Sequence, residues 1–461
     1  MIDFAKYSKP IEKQGAEYID LRIMELTSEA YSAKDGNISS VQSMEHVAFG
    51  ARVFFKGAWG FAFCTEMSDV DKIFSSAWRM AKLNSIKIKE RFELKNVSTI
   101  KDEVNHQIKQ NPVDIPSEEK IKEVLEIDRL LKRDNVKSRQ SEIGFSSRKS
   151  WFFNSSGADI FEPRYAMAIR LSLVGRGKTG LVNSFNRTGK TGGYEIYTGI
   201  NKTEFCNHLY KKFKNALKAE KAPAGRFPIV IDNGLCGVFF HEAVGHACEA
   251  DAVLEKSSVF QKMLGKKIAP EHLTLVDSPN VLNEGGHFRY DDEGMPAGET
   301  FLITNGKLTS YINSLESSSL MNAKPTGNGR AMDPTHMPIP RMTNTVLRPG
   351  RFSRDELFEG IKNGIYACGS SGGVVEPING NFVFNAEEAF MIENGKITKP
   401  LRDVSLAGNI MEILPKIEKI ANDDAPNFWG GRCGKQEQLV PVGEKTPHIK
   451  ISEAIIGGKS N

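Results

Sequence analysis

The stretch HEAVGHACEAD, residues 241 to 251, carries the residue types of a zinc hydrolase at an unusual spacing. The familiar zinc signature is H-E-x-x-H, in which two histidines bind the metal and the glutamate serves as base. Here one residue is added, giving H-E-x-x-x-H. Zinc takes neutral imidazoles and thiolates in a tetrahedron, and a catalytic site leaves one position for water. His241 and His246 supply two ligands on this reading, and Glu242 stands beside the water as general base. The bland alternative is a pair of satisfied core histidines with a salt-bridged glutamate. A motif of this kind directly after a strand favours the metal.

The spacing imposes a geometric condition. Each residue of an α-helix turns about 100°, so residues i and i+5 lie about 140° apart and do not readily share one ion. Either the helix is locally distorted or one histidine is not a ligand. A π-bulge brings i and i+5 together. Gly245 costs about 1 kcal/mol against alanine in a helix interior, and it eases such a distortion or permits a close backbone approach. A third ligand is also needed. Cys248, Glu249, Asp251 and His272 are near in sequence; His287, His336, Cys368 and Cys433 are distant. Spacing does not choose among them, and a scattered cysteine is more often a small buried hydrophobe. Cys433 stands between glycines in NFWGGRCGKQEQLVPVG, which reads as a loop.

Several elements must position these residues. Ile229 to Ile231 reads as a short strand, turned by DNG into the helix that carries the motif. Upstream, residues 3 to 14 suggest a helix, and hairpins are expected around Asp35-Gly36 and Lys56-Gly57. SDVDKIFSSAWRMAKL reads as a helix capped by Ser68. SEEKIKEVLEIDRLLKR reads as an amphipathic helix with a capping-box start at Ser117. A further strand-rich run from Gln140 and a helix from Thr203 repeat the order of the first unit, which suggests an internal duplication. Polar, proline-containing stretches at 101–117 and near 222 divide the chain into 1–110, 111–221 and 222–461. The last part reads as mostly β. Its segments TFLITNGKLTSYI (300–312) and AFMIENGKITKPL (389–401) share an Asn-Gly turn, from equivalent hairpins or from convergence on one turn chemistry.

Weaker stretches are expected to be structural. TGKTGG (188–193) lacks the full spacing of a phosphate loop and reads as a turn. CGSSGGVVEP (368–377) reads as a connection or a substrate-facing loop. DDEGMPAGE (291–299) has the residues to hold a cation, though acidic turns are generally solvated.

Composition bounds the function class. The chain has 461 residues, 40% hydrophobic and 26% charged, which is ordinary for a globular protein of several domains. A net charge of +4 with dispersed basic residues gives no sign of a nucleic-acid or membrane partner. The N-terminus lacks the pattern of a signal peptide. The six cysteines form no CxxC pair and suggest no disulfide framework. A cytoplasmic location is expected.

HEAVGHACEAD, PTGNGR (325–330), PRMTNT (340–345), FVFNAEEAFMIENGKITKP and RCGK together resemble the TldD branch of the TldD/PmbA family, also called modulators of DNA gyrase. The resemblance implies an α+β chain, with an N-terminal region of mixed sheets and helices and a β-rich C-terminal metalloprotease domain. It implies a zinc-dependent peptidase acting on small or unfolded polypeptides, with Cys433 as third ligand beside His241 and His246, and Glu242 as the catalytic residue. It also implies a dimer, either of this chain with itself or with a sibling TldE/PmbA-like subunit that lacks the ligands. HACEAD departs from the HGLEGD of many relatives. Arg341 and Asn344 lie in a shared motif without a role that the sequence assigns. The competing readings are a binding or regulatory subunit with a structural metal, and a metal-dependent hydrolase of something other than peptides.

Overall fold

The computed structural model describes residues 2–88, 91–178, 180–423 and 431–457. The fold is α+β. Its N-terminal half is organised on one seven-stranded sheet. Strands Tyr18–Lys34 and Asn37–Phe55 form a long hairpin, extended by Ala58–Cys64. Asp35 and Gly36 have φ of 52° and 97°, and Lys56 and Gly57 have 50° and 85°. Positive φ at both central residues matches the right-handed twist of the paired strands, so these dipeptides make the turns their sequence suggests. Strands Val136–Asn154, Asp159–Gly177 and Gly180–Thr191 form a second meander. The second meander joins the first edge to edge: Tyr18–Lys34 pairs with Val136–Asn154 from Asp20↔Asn154 to Lys34↔Gln140. The two N-terminal units therefore share a continuous sheet. In each, three antiparallel strands are followed by a helix.

Helix Val70–Ser85 buries Val70, Ile73, Phe74, Ala77 and Trp78 against Leu21, Ala51 and Val53. Its expected cap, Ser68, lies instead within a 3₁₀ turn, Met67–Asp69, that precedes the helix. Helix Ser117–Leu130 begins one residue earlier than a Ser117 cap requires. Pro116 takes the capping position, and the Ser117 hydroxyl bonds the Tyr31 hydroxyl at 2.9 Å, a tertiary contact in place of a local one. This helix and Lys202–Lys218 cover the distal part of the sheet.

Among the described residues the C-terminal half holds a two-stranded ribbon, Gly329–Arg330 with Ile339–Pro340, and two further large sheets. In one, strands Asn363–Glu376, Gly225–Ile231, Ile449–Gly457, Ser405–Asn409 and Asn381–Glu393 follow one another, and the first also pairs with the last, which closes a barrel. In the other, Lys307–Leu308, Thr300–Thr304, Leu275–Asp277, Asn344–Leu347, Gln438–Lys445 and Gly431–Lys435 lie in that order. Helix Asn233–Phe240 packs between them, with the Phe239 ring edge-on to Phe382 at 5.4 Å. The two Asn-Gly segments share one turn, with φ of 49° and 76° at Asn305-Gly306 and 50° and 75° at Asn394-Gly395. They lie in different sheets, so their likeness is that of turn chemistry. CGSSGGVVEP is no connection: it lies in strand Asn363–Glu376, with a bulge between Ser370 and Gly373. TGKTGG ends strand Gly180–Thr191 and turns into the short helix Tyr194–Thr198.

The acidic turn at 291–293 is buried rather than solvated, because it docks the C-terminal half onto the N-terminal sheet. Arg52 is 1% exposed and pairs with Asp20 at 2.6 Å and with Glu293 at 2.8 Å. Asp292 meets Arg148 at 3.3 Å, and Asp291 accepts the backbone N–H groups of Glu293, Met295 and Gly329. An Arg52→Met variant would leave two carboxylates buried without their cation. Removing one partner from a buried ion pair costs about 3–5 kcal/mol, so the variant should melt well below the parent in a thermal or denaturant titration.

Candidate metal centre

The local sequence explains how the motif is presented. Strand Gly225–Ile231 lies between two neighbours and ends in the buried apolar run 229–231, and Asp232 then caps the following helix by accepting the Leu235 N–H at 2.8 Å. Leu235, Cys236, Phe239 and Phe240 anchor that helix in the core. At His241 the helix changes: His241–Gly245 is π-helical, and His246–Cys248 is a 3₁₀ turn. In a π segment the hydrogen bond joins residues five apart, so His241 and His246 come onto one face. Their rings lie 5.3 Å apart, centroid to centroid. Gly245 has ordinary right-handed helical φ and ψ of −58° and −53°, so its freedom at positive φ is not what is used. What requires glycine is space, since a Cβ there would lie 1.9 Å from Met342 Sδ.

Cys433 arrives from the far end of the chain. It lies on strand Gly431–Lys435 rather than in a loop, opposite Val440. The segment before it, 424–430, including the Asn427 to Gly430 part of the stretch read as a loop, is outside the described residues. Donor atoms of His241, His246 and Cys433 lie within 4.8 Å of one another, and the Cys433 sulfur is 3.2 Å from His246 Nε2. Among the described residues this is the set of histidine, cysteine and acidic side chains that converges as a metal site would require. Two imidazoles and a thiolate form a donor set suited to zinc.

The surroundings fit that group. His246 turns Nδ1 to the Glu249 carboxylate at 2.9 Å, which leaves Nε2 toward the sulfur. His241 Nδ1 faces Thr345 Oγ1 at 3.3 Å. Carboxylate or hydroxyl partners on the second ring nitrogen are the usual companions of metal-binding histidines, because they fix tautomer and ring orientation. Burial alone would raise the Cys433 thiol, but the charges and hydrogen bonds of His241 and His246 outweigh it and hold the thiol down to about 5. Burial opposes a charged His246, yet Glu249 and Cys433 raise it well above its ordinary value. Glu249 is held down to about 2: burial acts against ionisation, and His246 and Lys435 overcome it. The site therefore collects a thiolate without requiring alkaline conditions.

Glu242 occupies the rim. Its side chain is 37% exposed, and Oε2 is 3.7 Å from His246 Nε2. The remaining sequence candidates go elsewhere. Cys248 is buried in the core, with its thiol pushed up by burial. Asp251 pairs with Lys435 at 2.7 Å, His287 Nδ1 faces the Pro279 carbonyl at 2.7 Å, and His336 pairs with Asp333 at 2.9 Å. His272 is exposed, and Cys368 lies on the barrel strand facing away into a separate apolar cluster. Glu249 does belong to the centre, but on the outer nitrogen of His246. Sequence reasoning missed that role, along with Thr345, Lys435 and Arg341. The pairing of EAD in one motif with K in CGK was the signal available. Arg341, fully buried, donates to the Cys433 carbonyl at 2.6 Å. Asn344 accepts from Gly286 N–H at 2.9 Å and donates to the Ser278 carbonyl at 2.8 Å, which ties a neighbouring loop to the sheet that carries Cys433.

The chain matches the PmbA/TldA metallopeptidase domain 1 over residues 19–81, the central domain over 110–218 and the C-terminal domain over 224–458. It is 37% identical over 442 residues to a metalloprotease of Methanothermobacter thermautotrophicus, covering 96% of both chains. It is 27% identical over 464 residues to a zinc metalloprotease TldD homolog of Saccharolobus solfataricus, covering 98% of this chain and 99% of that one. The crystal structure of TldE from Thermococcus kodakarensis superposes with a TM-score of 0.75 at 20% identity, covering 98% of this chain and 99% of that one. Among the described residues no helix is long and apolar enough to cross a membrane.

Proposed function

The chain belongs to the PmbA/TldD metallopeptidase family, and from that premise we propose that it is a zinc-dependent peptidase acting on small or unfolded polypeptides. The observation that carries the reading is the convergence of His241, His246 and Cys433 within 4.8 Å, with Glu242 at the exposed rim. Three protein donors leave one position of a tetrahedron for water or substrate, as a catalytic site does, whereas a structural site closes all four. Zinc bound there would supply a Lewis acid that polarises water and the scissile carbonyl. His241, His246 and Cys433 would hold it. The Glu242 carboxylate, 3.7 Å from His246 Nε2, takes a proton from the attacking water. As the C–N bond breaks, the same carboxyl returns that proton to the leaving amine. The peptide carbonyl carbon gains the oxygen, and the products are a carboxylate and a free amine.

The partner in this proposal is a second subunit, a copy of this chain or a TldE/PmbA-like sibling. The test is direct. Purified chain, alone and mixed with a candidate sibling, is incubated with an unfolded polypeptide, with and without a chelator. Cleavage that disappears with the chelator and returns with zinc is the expected result. Zinc bound stoichiometrically, with no cleavage in either mixture, would favour the binding-subunit reading. Hydrolysis confined to non-peptide esters or amides would favour the third.

A further inference from the structure

The two motif tails, EAD after the histidines and GK after the cysteine, meet behind the metal centre. Glu249 bridges His246 Nδ1 at 2.9 Å and Lys435 Nζ at 3.0 Å. Lys435 continues to Asp251 at 2.7 Å. Arg341 sits on the other side of Glu249, with its Nε 3.9 Å from Oε1. Those two atoms, Arg341 Nε and Glu249 Oε1, are buried and have no hydrogen-bond partner. The guanidinium is at the same time committed to the Cys433 backbone. Glu249 is thus joined to the ring of one member of the trio, and through Arg341 and Lys435 to the strand that carries another.

The charges balance, with Glu249 and Asp251 against Lys435 and Arg341, and the group is secluded: Glu249 is 2% and Arg341 0% exposed. A buried carboxylate is costly unless paired and hydrogen-bonded. A purely structural salt bridge would need only the cations. The carboxylate instead spends one oxygen on a histidine nitrogen, which forces the proton of a neutral imidazole onto Nδ1 and frees the Nε2 lone pair.

We infer that Glu249 is a positioning residue, which fixes His246 as an Nε2 donor, and that Lys435 and Arg341 hold that carboxylate in place while tying it to the Cys433 strand. The inference rests on the zinc reading above and deepens it. It assigns a job to Glu249, Lys435 and Arg341, none of which touches the substrate.

The test reads zinc affinity and histidine tautomer, not cleavage. Affinity is measured by competition with a chromophoric chelator on full-length protein, for the parent, Glu249→Gln and Lys435→Met. Loss of an outer-shell partner typically costs 10- to 100-fold in metal affinity. Glu249→Gln should lose that much, while Lys435→Met, which keeps the bond to His246 but loosens the carboxylate that makes it, should lose measurably less than Glu249→Gln and more than nothing. A merely structural ion pair predicts equal losses in both, and that result would overturn the inference. So would an unchanged affinity in Glu249→Gln. Nitrogen-15 NMR of the metal-free proteins keeps the two proposals separable. In the parent, at a pH alkaline enough to leave the ring neutral, His246 should carry its proton on Nδ1, and Glu249→Gln should broaden or shift that assignment. If the parent binds no zinc but the tautomer responds, the zinc reading fails and the positioning of His246 stands. A tautomer indifferent to Glu249→Gln, in a protein that melts as the parent does, removes the positioning role.

Discussion

A Glu242→Ala protein is expected to bind zinc as tightly as the parent and to cleave nothing measurable above background. General acid–base catalysis contributes about 10²- to 10⁴-fold, and here one carboxyl serves both proton transfers, so the loss should lie toward the upper end. The geometry makes the variant clean. Glu242 is not a member of the converging trio, its side chain is partly exposed, and the contact of that side chain among the described residues is its 3.7 Å approach to His246. The segment is instead anchored by the apolar helix before it and by Val244 in the core. Metal content by elemental analysis and chelator competition should therefore match the parent, while the rate of peptide cleavage collapses. Full activity would refute the role of Glu242 as base. Loss of zinc together with activity would make it a ligand and leave the base unassigned.

Cys433→Ser should act on the other quantity. Serine is nearly isosteric with cysteine, and the Arg341 contact at this position goes to the backbone carbonyl, so the strand should stay where it is. What changes is the donor. The thiol, held down to about 5 by the neighbouring histidines, supplies an anion at neutral pH. A serine hydroxyl keeps its proton there. The site would lose a soft ligand and a negative charge together. Zinc affinity should fall by more than the roughly 10- to 100-fold that an outer-shell change costs, and cleavage should fall with it. Equilibrium dialysis followed by metal analysis checks the first part. Unchanged zinc content and affinity would point to a different third ligand.

These two variants also separate what was legible in the sequence from what was not. Turn chemistry was legible, because Asp35-Gly36, Asn305-Gly306 and Asn394-Gly395 state their positive φ locally. So were the helices at 70–85, 117–130 and 202–218, whose apolar faces recur at helical spacing. Their first residues were misjudged where a 3₁₀ turn or a tertiary hydroxyl contact took over from local capping. The spacing of His241 and His246 required a distorted helix, and the π segment at 241–245 meets that requirement. The acidic turn was misread, because nothing in 291–293 announces that Arg52 and Arg148 approach from another domain.

By itself the sequence determined the local chemistry: two histidines and a glutamate on one element after a strand, and turns set by residues that tolerate positive φ. Only the tertiary structure decided the company those residues keep. It brought Cys433 across 187 positions to His246, made Glu249 the hydrogen-bond partner of His246 Nδ1, and put Arg341 and Lys435 behind both. The physical reason is one of range. Helix periodicity and turn conformation arise within a few residues, whereas a metal centre and its buried charges depend on which strands pair, and strand pairing is settled by the burial of the whole core.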